Sequence, residues 1–202
     1  MRTNTGGPRC EGCRLHPSIC MCAVFPALQV RTRLTVVLHA DELNKTTNTG
    51  GLAARCLVGS RIVPYGLREP PLTAPVVSDD DHAVLLFPSD DAIPLAEFAA
   101  DGRPVHLVVP DGTWRQASRM RVRVPGLATL PRVSLPLDAP SRYELRLDER
   151  PGHFSTLEAI ASALRILEGE PGEAVADALH ATLQELIRRM RARRGFDPRA
   201  HG

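Results

Sequence analysis

The sequence predicts an α/β fold in which a mainly parallel sheet is flanked by helices. Short apolar segments alternate along the chain with longer segments whose apolar residues have helical spacing. Turn residues separate these segments, and the 202 residues are enough for one domain with a real core and a small appendage. We therefore predict an N-terminal cysteine segment over residues 1–30 and an α/β domain over residues 31–202.

The composition is that of a globular protein without a global preference for nucleic acid. Hydrophobic residues make up 43% and charged residues 24% of the chain, and the net charge is only +2. No apolar run approaches the roughly 20 residues that a membrane-spanning helix needs. The polar N-terminus has no apolar segment typical of a signal peptide. These observations predict a cytoplasmic protein with neither membrane nor DNA as a partner.

Four cysteines lie close together near the N-terminus, at Cys10, Cys13, Cys20 and Cys22. In a cytoplasmic protein such a cluster indicates a metal site rather than a disulfide framework. Four thiolates suit one tetrahedral Zn²⁺ ion, which would hold together a segment too small to fold by itself. An iron–sulfur cluster and disulfides are the alternatives. The zinc is predicted to be structural, and its segment either clips the chain or presents a surface to RNA.

The α/β domain begins with a buried strand over residues 34–38, which ends at His39. A polar stretch over 44–51 follows and leads into a helix over 52–57. Backbone N–H groups at a helix start attract anions, although the residue order of a phosphate-binding P-loop is absent. His39 is either a ligand contact or a structural histidine, and Cys56 lies on the apolar face of the helix and is assigned to the core.

The middle of the chain continues the alternation of strands and helices. Strands are predicted over 60–63, 83–87, 105–109 and 128–133, with a proline-rich loop over 64–75 and a short helix over 93–100. The last helix, over about 173–194, has apolar residues at core spacing and ends in five arginines: Arg188, Arg189, Arg191, Arg193 and Arg194. They form either a solvated face at the negative end of the helix or a contact to RNA phosphates.

A tight turn follows the strand over 105–109. Thr113 and Gln116 have the spacing of a capping box, which predicts a helix start immediately after the turn. Asp111 and the only tryptophan of the chain, Trp114, therefore lie at the C-terminal end of a strand, where open α/β sheets bind ligands. The alternative is that Asp111 serves only the turn and Trp114 only the core.

A second capping box is formed by Ser155 and Glu158, ahead of an apolar helix that reaches residue 167. The free N–H groups of its first turn would bind a carboxylate by donating hydrogen bonds to it.

These segments together resemble the DTW-domain family over roughly residues 9–190. The resemblance implies a tRNA-uridine aminocarboxypropyltransferase, which moves the 3-amino-3-carboxypropyl group of S-adenosylmethionine to N3 of uridine, giving acp3U and methylthioadenosine. It also implies a SPOUT-like fold with a C-terminal trefoil knot, which is too rare for sequence patterns to predict. Besides the cysteine cluster, it rests on His39, Glu42, Asn48-Thr49-Gly50, Asp111-Gly112-Thr113-Trp114 and Ser155-Thr156-Leu157-Glu158-Ala159.

The resemblance also implies roles for individual residues. The catalytic residues would be Asp111, Thr113 and Trp114. The cofactor would be bound by Pro110, Gly112, Ser155, Thr156, Leu157 and Glu158. The tRNA would be bound by His39, Glu42, Lys45, Asn48, Thr49 and Gly50.

Two of these roles remain open between alternatives. Asp111 would either remove the N3 proton of uridine or orient the uracil through a hydrogen bond. An ordinary aspartate is a weak base, so burial would have to strengthen it for the first role. Trp114 would stack on adenine or uracil, or else pack in the core.

Two other functions compete with this interpretation. A methyltransferase that uses the same cofactor would differ only in which carbon of the sulfonium faces the substrate. A non-catalytic zinc module that binds RNA would need no pocket at Asp111. A serine hydrolase is disfavoured because the G-x-S-x-G nucleophile motif is absent.

Overall fold

The computed structural model describes residues 8–78, 82–136 and 155–193. Within these ranges the strands are β1 (Arg33–His39), β2 (Arg61–Tyr65), β3 (Ala83–Leu86), β4 (Ile93–Pro94), β5 (His106–Asp111) and β6 (Arg132–Ser134). The α-helices are α1 (Thr49–Cys56), α2 (Leu95–Phe98), α3 (Trp114–Arg123), α4 (Thr156–Glu168) and α5 (Glu170–Arg193). Short 3-10 helices lie at Pro17–Ile19 and Ala40–Glu42.

All strand pairs in the sheet are parallel, and the strands are arranged in the order β2-β1-β5-β3-β6-β4. This arrangement confirms the predicted α/β class. Strand β2 lies on one side of β1, whereas β5 and β3 lie on its other side. The order of the strands therefore reverses between β1 and β5. Leu38 pairs with Asp111, which makes the carboxyl ends of these two strands neighbours. Open α/β sheets bind ligands at such a point.

The sheet separates two apolar cores. Successive residues of β1 point to opposite faces, so Val36 belongs to the larger core and Val37 to the smaller one. Apolar side chains of α1, α4 and α5 fill the larger core, and Cys56 is fully buried there, as predicted. Helix α3 covers the smaller core with Ala117 and Met120. Helices α3 and α5 therefore lie on opposite sides of the sheet.

The N-terminal cysteine segment packs directly on the α/β domain. Ile19 and Met21 are almost completely buried and belong to the larger core. The 3-10 helix at Pro17–Ile19 lies against α5. The predicted division of the chain at residue 30 stays a prediction, but the two parts share one core.

Several segments differ from the predicted boundaries, and α1 begins at Thr49 instead of residue 52. Residues 93–100 form the edge strand β4 and the single-turn helix α2 instead of one helix, and Pro94 is tolerated because it lies in an edge strand. The N–H of Leu130 closes a turn onto the carbonyl of Leu127, so β6 begins only at Arg132. Helix α5 starts at Glu170, immediately after Gly169, whose φ of 64° ends α4.

Residues 137–154 lie outside the described residues, as does Arg194 of the arginine cluster. The predicted trefoil knot depends on the path of the first of these segments and stays a prediction. Among the helices described, none combines the length and the apolar character needed to cross a bilayer.

Candidate functional site

Three of the predicted motifs meet at the side chain of Asp111. This residue ends β5 and is 8% exposed. The hydroxyl of Thr156, at the start of α4, donates a hydrogen bond of 2.6 Å to its Oδ1. Gly50, in the first turn of α1, lies so close that an added Cβ would be 2.3 Å from Oδ2. The carboxylate is thus fixed by two helix starts that are far apart in the sequence.

Only glycine at position 50 lets the start of α1 come this close to the carboxylate of Asp111. Replacing Gly50 by alanine should lower kcat by roughly 10- to 100-fold, because displacing a reacting group by about 1 Å is sufficient for a loss of this size. The measurement is turnover of tRNA at saturating substrate. The matched experiment makes the same change in the Asp111→Asn background, where a further loss of less than about twofold is expected because both changes act through one group. Equal losses in both backgrounds would contradict the contact.

A second group of polar side chains joins β1 to the turn after β5. The amide nitrogen of Gln116 lies 3.1 Å from Nδ1 of His39 and donates a 3.0 Å hydrogen bond to Oδ2 of Asp41. The backbone N–H of Asp41 also donates to Nδ1 of His39, at 3.2 Å. Thr113 is committed to the helix cap, since its hydroxyl accepts from the N–H of Gln116, as the predicted capping box requires.

Gln116 and Asp41 were not among the predicted site residues. The capping box could have indicated Gln116, because the side chain of the N3 residue in such a box can reach beyond the helix. Pro110 and Gly112, both predicted to bind the cofactor, lie at the carboxyl end of β5 and directly after it. An added Cβ at Gly112 would lie 3.3 Å from Cβ of His39, so this backbone passes close to β1.

Trp114 is not a core residue, because it is 64% exposed. Its indole stacks on the buried ring of Phe87 with 4.9 Å between ring centroids and 19° between ring planes. The guanidinium of Arg121 lies 5.5 Å from the centroid of the same phenylalanine. This stack excludes the core alternative and leaves an aromatic surface beside the turn that carries Asp111.

The predicted substrate residues after β1 form a loop held by its own hydrogen bonds. Lys45 forms an ion pair of 2.6 Å with Glu42. The side chain of Asn48 donates to the carbonyl of Glu42 at 3.0 Å and accepts from the N–H of Gly51 at 2.6 Å, which caps α1. Thr49 follows as the first residue of α1 and is buried.

A cavity of about 300 Å³ lies beside this loop. Lys45 and Asn48 line it, together with Arg14 from the cysteine segment, Arg55 from α1 and the apolar side chain of Leu38. The volume is at the lower end of those of small-molecule sites. Leu38 is the register partner of Asp111 on β1, although Asp111 itself does not line the cavity.

The first turn of α4 is organised mainly by its capping box. Ser155 and Glu158 exchange hydrogen bonds between side chain and backbone as predicted, and both are almost fully buried. Leu157 is buried in the core. Thr156 is the member of this motif whose side chain contacts Asp111. The predicted role of these residues in binding a cofactor stays a prediction.

The four predicted metal ligands form one compact group. All four sulfurs of Cys10, Cys13, Cys20 and Cys22 lie within 4.8 Å of one another. The Cys10–Cys22 and Cys10–Cys20 sulfur distances are 3.5 Å, and the Cys13–Cys20 distance is 3.7 Å. Zn–S bonds of about 2.3 Å in a tetrahedron put neighbouring sulfurs about 3.8 Å apart. The arrangement therefore fits a single zinc ion.

The alternatives fit these sulfurs less well. The distances are too long for disulfides, whose sulfurs are about 2.05 Å apart. An iron–sulfur cluster interposes several metal–sulfide bonds between its thiolates and would hold them further apart. The backbone of Cys13 and neighbouring thiols lower the pKa of Cys10 to about 6, which favours one thiolate even before a metal binds.

The sequence is similar to a known protein family and to several named proteins. The model of the DTW domain matches residues 7–191. The chain is 31% identical over 170 residues to tRNA-uridine aminocarboxypropyltransferase 2 of Drosophila melanogaster, covering 81% of this chain and 68% of that protein. The proteins of the same name from Macaca fascicularis and Mus musculus are 31% and 33% identical over 80% of this chain, which spans 57% of their length.

No solved structure matches the chain significantly. The domain match nevertheless extends from the cysteine segment to residue 191 in the last turn of α5, and it includes all the motifs that meet at Asp111. The chain therefore belongs to the DTW-domain family.

Proposed function

We propose that this chain transfers the 3-amino-3-carboxypropyl group of S-adenosylmethionine to N3 of a uridine in tRNA. The observation that carries the proposal is the meeting of three family motifs at the buried carboxylate of Asp111. The names of the three relatives supply the reaction and the class of substrate. A tRNA substrate also agrees with the predicted cytoplasmic location.

In this proposal Asp111 accepts the N3 proton of uridine as N3 attacks. Its surroundings support the role, because Thr156 fixes Oδ1 and the close approach of Gly50 holds the carboxylate on the side of Oδ2. S-adenosylmethionine supplies an electrophilic γ-carbon, whose bond to sulfur breaks as the bond to N3 forms, releasing methylthioadenosine.

The remaining residues position the two substrates. The exposed face of Trp114 is available to stack on uracil or adenine, a contact worth roughly 1–3 kcal/mol. The cavity lined by Lys45 and Asn48 has a volume at the lower end of small-molecule sites, and its lining residue Leu38 is the strand partner of Asp111. The backbone at Pro110 and Gly112 and the start of α4 at Thr156 are the candidates for holding the donor, since a helix N-terminus favours a carboxylate.

The zinc has a structural role in this proposal. Four thiolates complete its tetrahedral coordination, so no open position remains for water or substrate. The ion would hold the wall of the cavity that contains Cys13 and Arg14. The proposal also includes a SPOUT-like fold with a C-terminal trefoil knot.

The function is tested by mass spectrometry of nucleosides from unmodified tRNA incubated with the protein and S-adenosylmethionine. The expected product is uridine carrying the aminocarboxypropyl group, with methylthioadenosine in equal amount. Methylated uridine with S-adenosylhomocysteine would replace the proposal by a methyltransferase. Bound tRNA without any product, across total tRNA of several sources, would favour the zinc module that only binds RNA.

A further inference from the structure

We infer that the exposed face of helix α3 binds the sugar–phosphate backbone of the tRNA beside the target uridine. The inference rests on the proposed function for its substrate and adds the surface that holds it. It concerns three arginines, Arg115, Arg119 and Arg123, which we call the α3 arginine stripe. No catalytic role is assigned to them.

The charge of α3 is entirely positive. Its ten residues include four arginines and no carboxylate. The arginines of the stripe are four residues apart, so they lie on one side of the helix at intervals of about 6 Å along its axis. All three are exposed, and none forms an ion pair with any residue that the structure describes.

The arginines of α5 have a different environment. Arg188 and Arg189 both form ion pairs with Glu185, at 2.7 and 2.6 Å. Arg189 also donates to the carbonyl of Cys20, which ties α5 to the cysteine segment. Their hydrogen bonds lower the pKa of Glu185 to about 2. Part of the positive charge at the end of α5 is therefore already neutralised, whereas that of the α3 arginine stripe is not.

The position of the stripe connects it to the reaction. Helix α3 begins at Trp114, three residues after Asp111, and Trp114 and Arg115 are both exposed at this end of the helix. At about 100° per residue, the stripe follows a face roughly 100–180° around the helix from Trp114. An RNA strand whose phosphates follow the stripe toward the start of α3 therefore reaches the turn that carries both Asp111 and Trp114. The stack of Trp114 on Phe87 holds the indole in place for this contact.

The chemistry of the stripe favours phosphate over other ligands. One guanidinium group can donate two hydrogen bonds to the same phosphate, and it remains charged at every physiological pH. The exposed side of α3 has one large apolar residue besides Trp114, Val122, which is too little for a protein-docking surface with an apolar centre. The same helix offers an exposed aromatic ring and cations that form no ion pair with a described residue, and proteins that bind single-stranded nucleic acid combine these two features.

The test compares two triple variants that remove equal charge from opposite sides of the sheet. One is Arg115→Ala with Arg119→Ala and Arg123→Ala, and the control is Arg188→Ala with Arg191→Ala and Arg193→Ala. The dissociation constant for tRNA is measured as a function of salt, together with kcat, KM and the affinity for S-adenosylmethionine. If the triple α3 variant does not fold, the three single variants are measured in its place by the same methods.

The α3 variant should bind tRNA more than tenfold more weakly, because three phosphate contacts are lost. The slope of log affinity against log salt should fall in magnitude by about 2–3, or by about 1 for each single variant. KM for tRNA should rise, while kcat and the affinity for S-adenosylmethionine stay within about twofold. The α5 control should change tRNA affinity by less than threefold, and lysines at the three α3 positions should retain most of the salt slope.

Two results would overturn the inference: an α3 variant that binds tRNA like the wild type, or an α5 control that loses as much affinity. Failure of the proposed function is a separate result. In that case the wild-type protein forms no acp3U, yet tRNA binding still depends on the α3 arginine stripe.

Discussion

Replacing Asp111 by asparagine should lower kcat by about 10²–10⁴-fold, the range expected for loss of a general base. Asparagine keeps the shape of the side chain, and its oxygen can still accept the hydrogen bond of Thr156 at the position of Oδ1. The substitution therefore removes the negative charge with little change in packing. Turnover is measured on tRNA, with the affinities for tRNA and S-adenosylmethionine as evidence that the variant is folded.

The size of the loss separates the two roles open to Asp111. If the carboxylate accepts the N3 proton, the neutral amide cannot replace it and the full loss is expected. If the side chain only orients the uracil, the amide retains hydrogen-bonding capacity and the loss should stay below about tenfold. Asp101→Asn is the matched control, because this exposed carboxylate precedes β5 at the opposite end of the strand and should leave kcat unchanged. Full activity of the Asp111 variant would exclude both roles.

The local features of this fold could be predicted because they depend on neighbouring residues. Apolar runs predicted the central strands, and both capping boxes form as their spacing indicates, at Thr113 and at Ser155. The predicted helix over 93–100 is confirmed only over Leu95–Phe98, because its first two residues pair with β6, which is distant in sequence. Tertiary pairing here overrides a local helical pattern.

The contacts within the site could not be predicted from local patterns. The sequence indicated that Asp111 lies at a strand end, but it did not indicate that Gly50 and Thr156 flank the carboxylate. That arrangement needs the insertion of β5 beside β1, which brings together segments about 60 residues apart. Gln116 was missed for the same reason, since its contact with His39 also crosses from α3 to β1.

Composition alone also gave an incomplete picture of charge. The net charge of +2 argues against a general affinity for nucleic acid, yet the arginines are not equivalent in the fold. Glu185 pairs with Arg188 and Arg189 of α5, whereas the α3 arginine stripe has no acidic neighbour on its own helix. Binding to a polyanion depends on this distribution over the surface rather than on the sum.

Removing one zinc ligand by Cys13→Ser should abolish stoichiometric zinc binding and destabilise the whole domain. The binding energy of a structural zinc contributes to folding, and it reaches about 10–16 kcal/mol in small zinc peptides. Because Ile19 and Met21 of the same segment are part of the larger core, we expect a loss of about 3–5 kcal/mol. For a protein of this size, that lowers Tm by on the order of 10 °C. Metal content is measured by mass spectrometry and Tm by calorimetry.

Cys56→Ala is the matched control, because Cys56 is buried in α1 and lies outside the sulfur cluster. It should keep one zinc per chain even if it lowers Tm through lost packing. Where the Cys13 variant remains folded, KM should rise more than kcat falls, since Cys13 and Arg14 line the cavity while Asp111 is held by α1 and α4. Zinc-free wild-type protein with unchanged Tm and KM would show that the cysteine segment neither supports the core through a metal nor shapes the cavity.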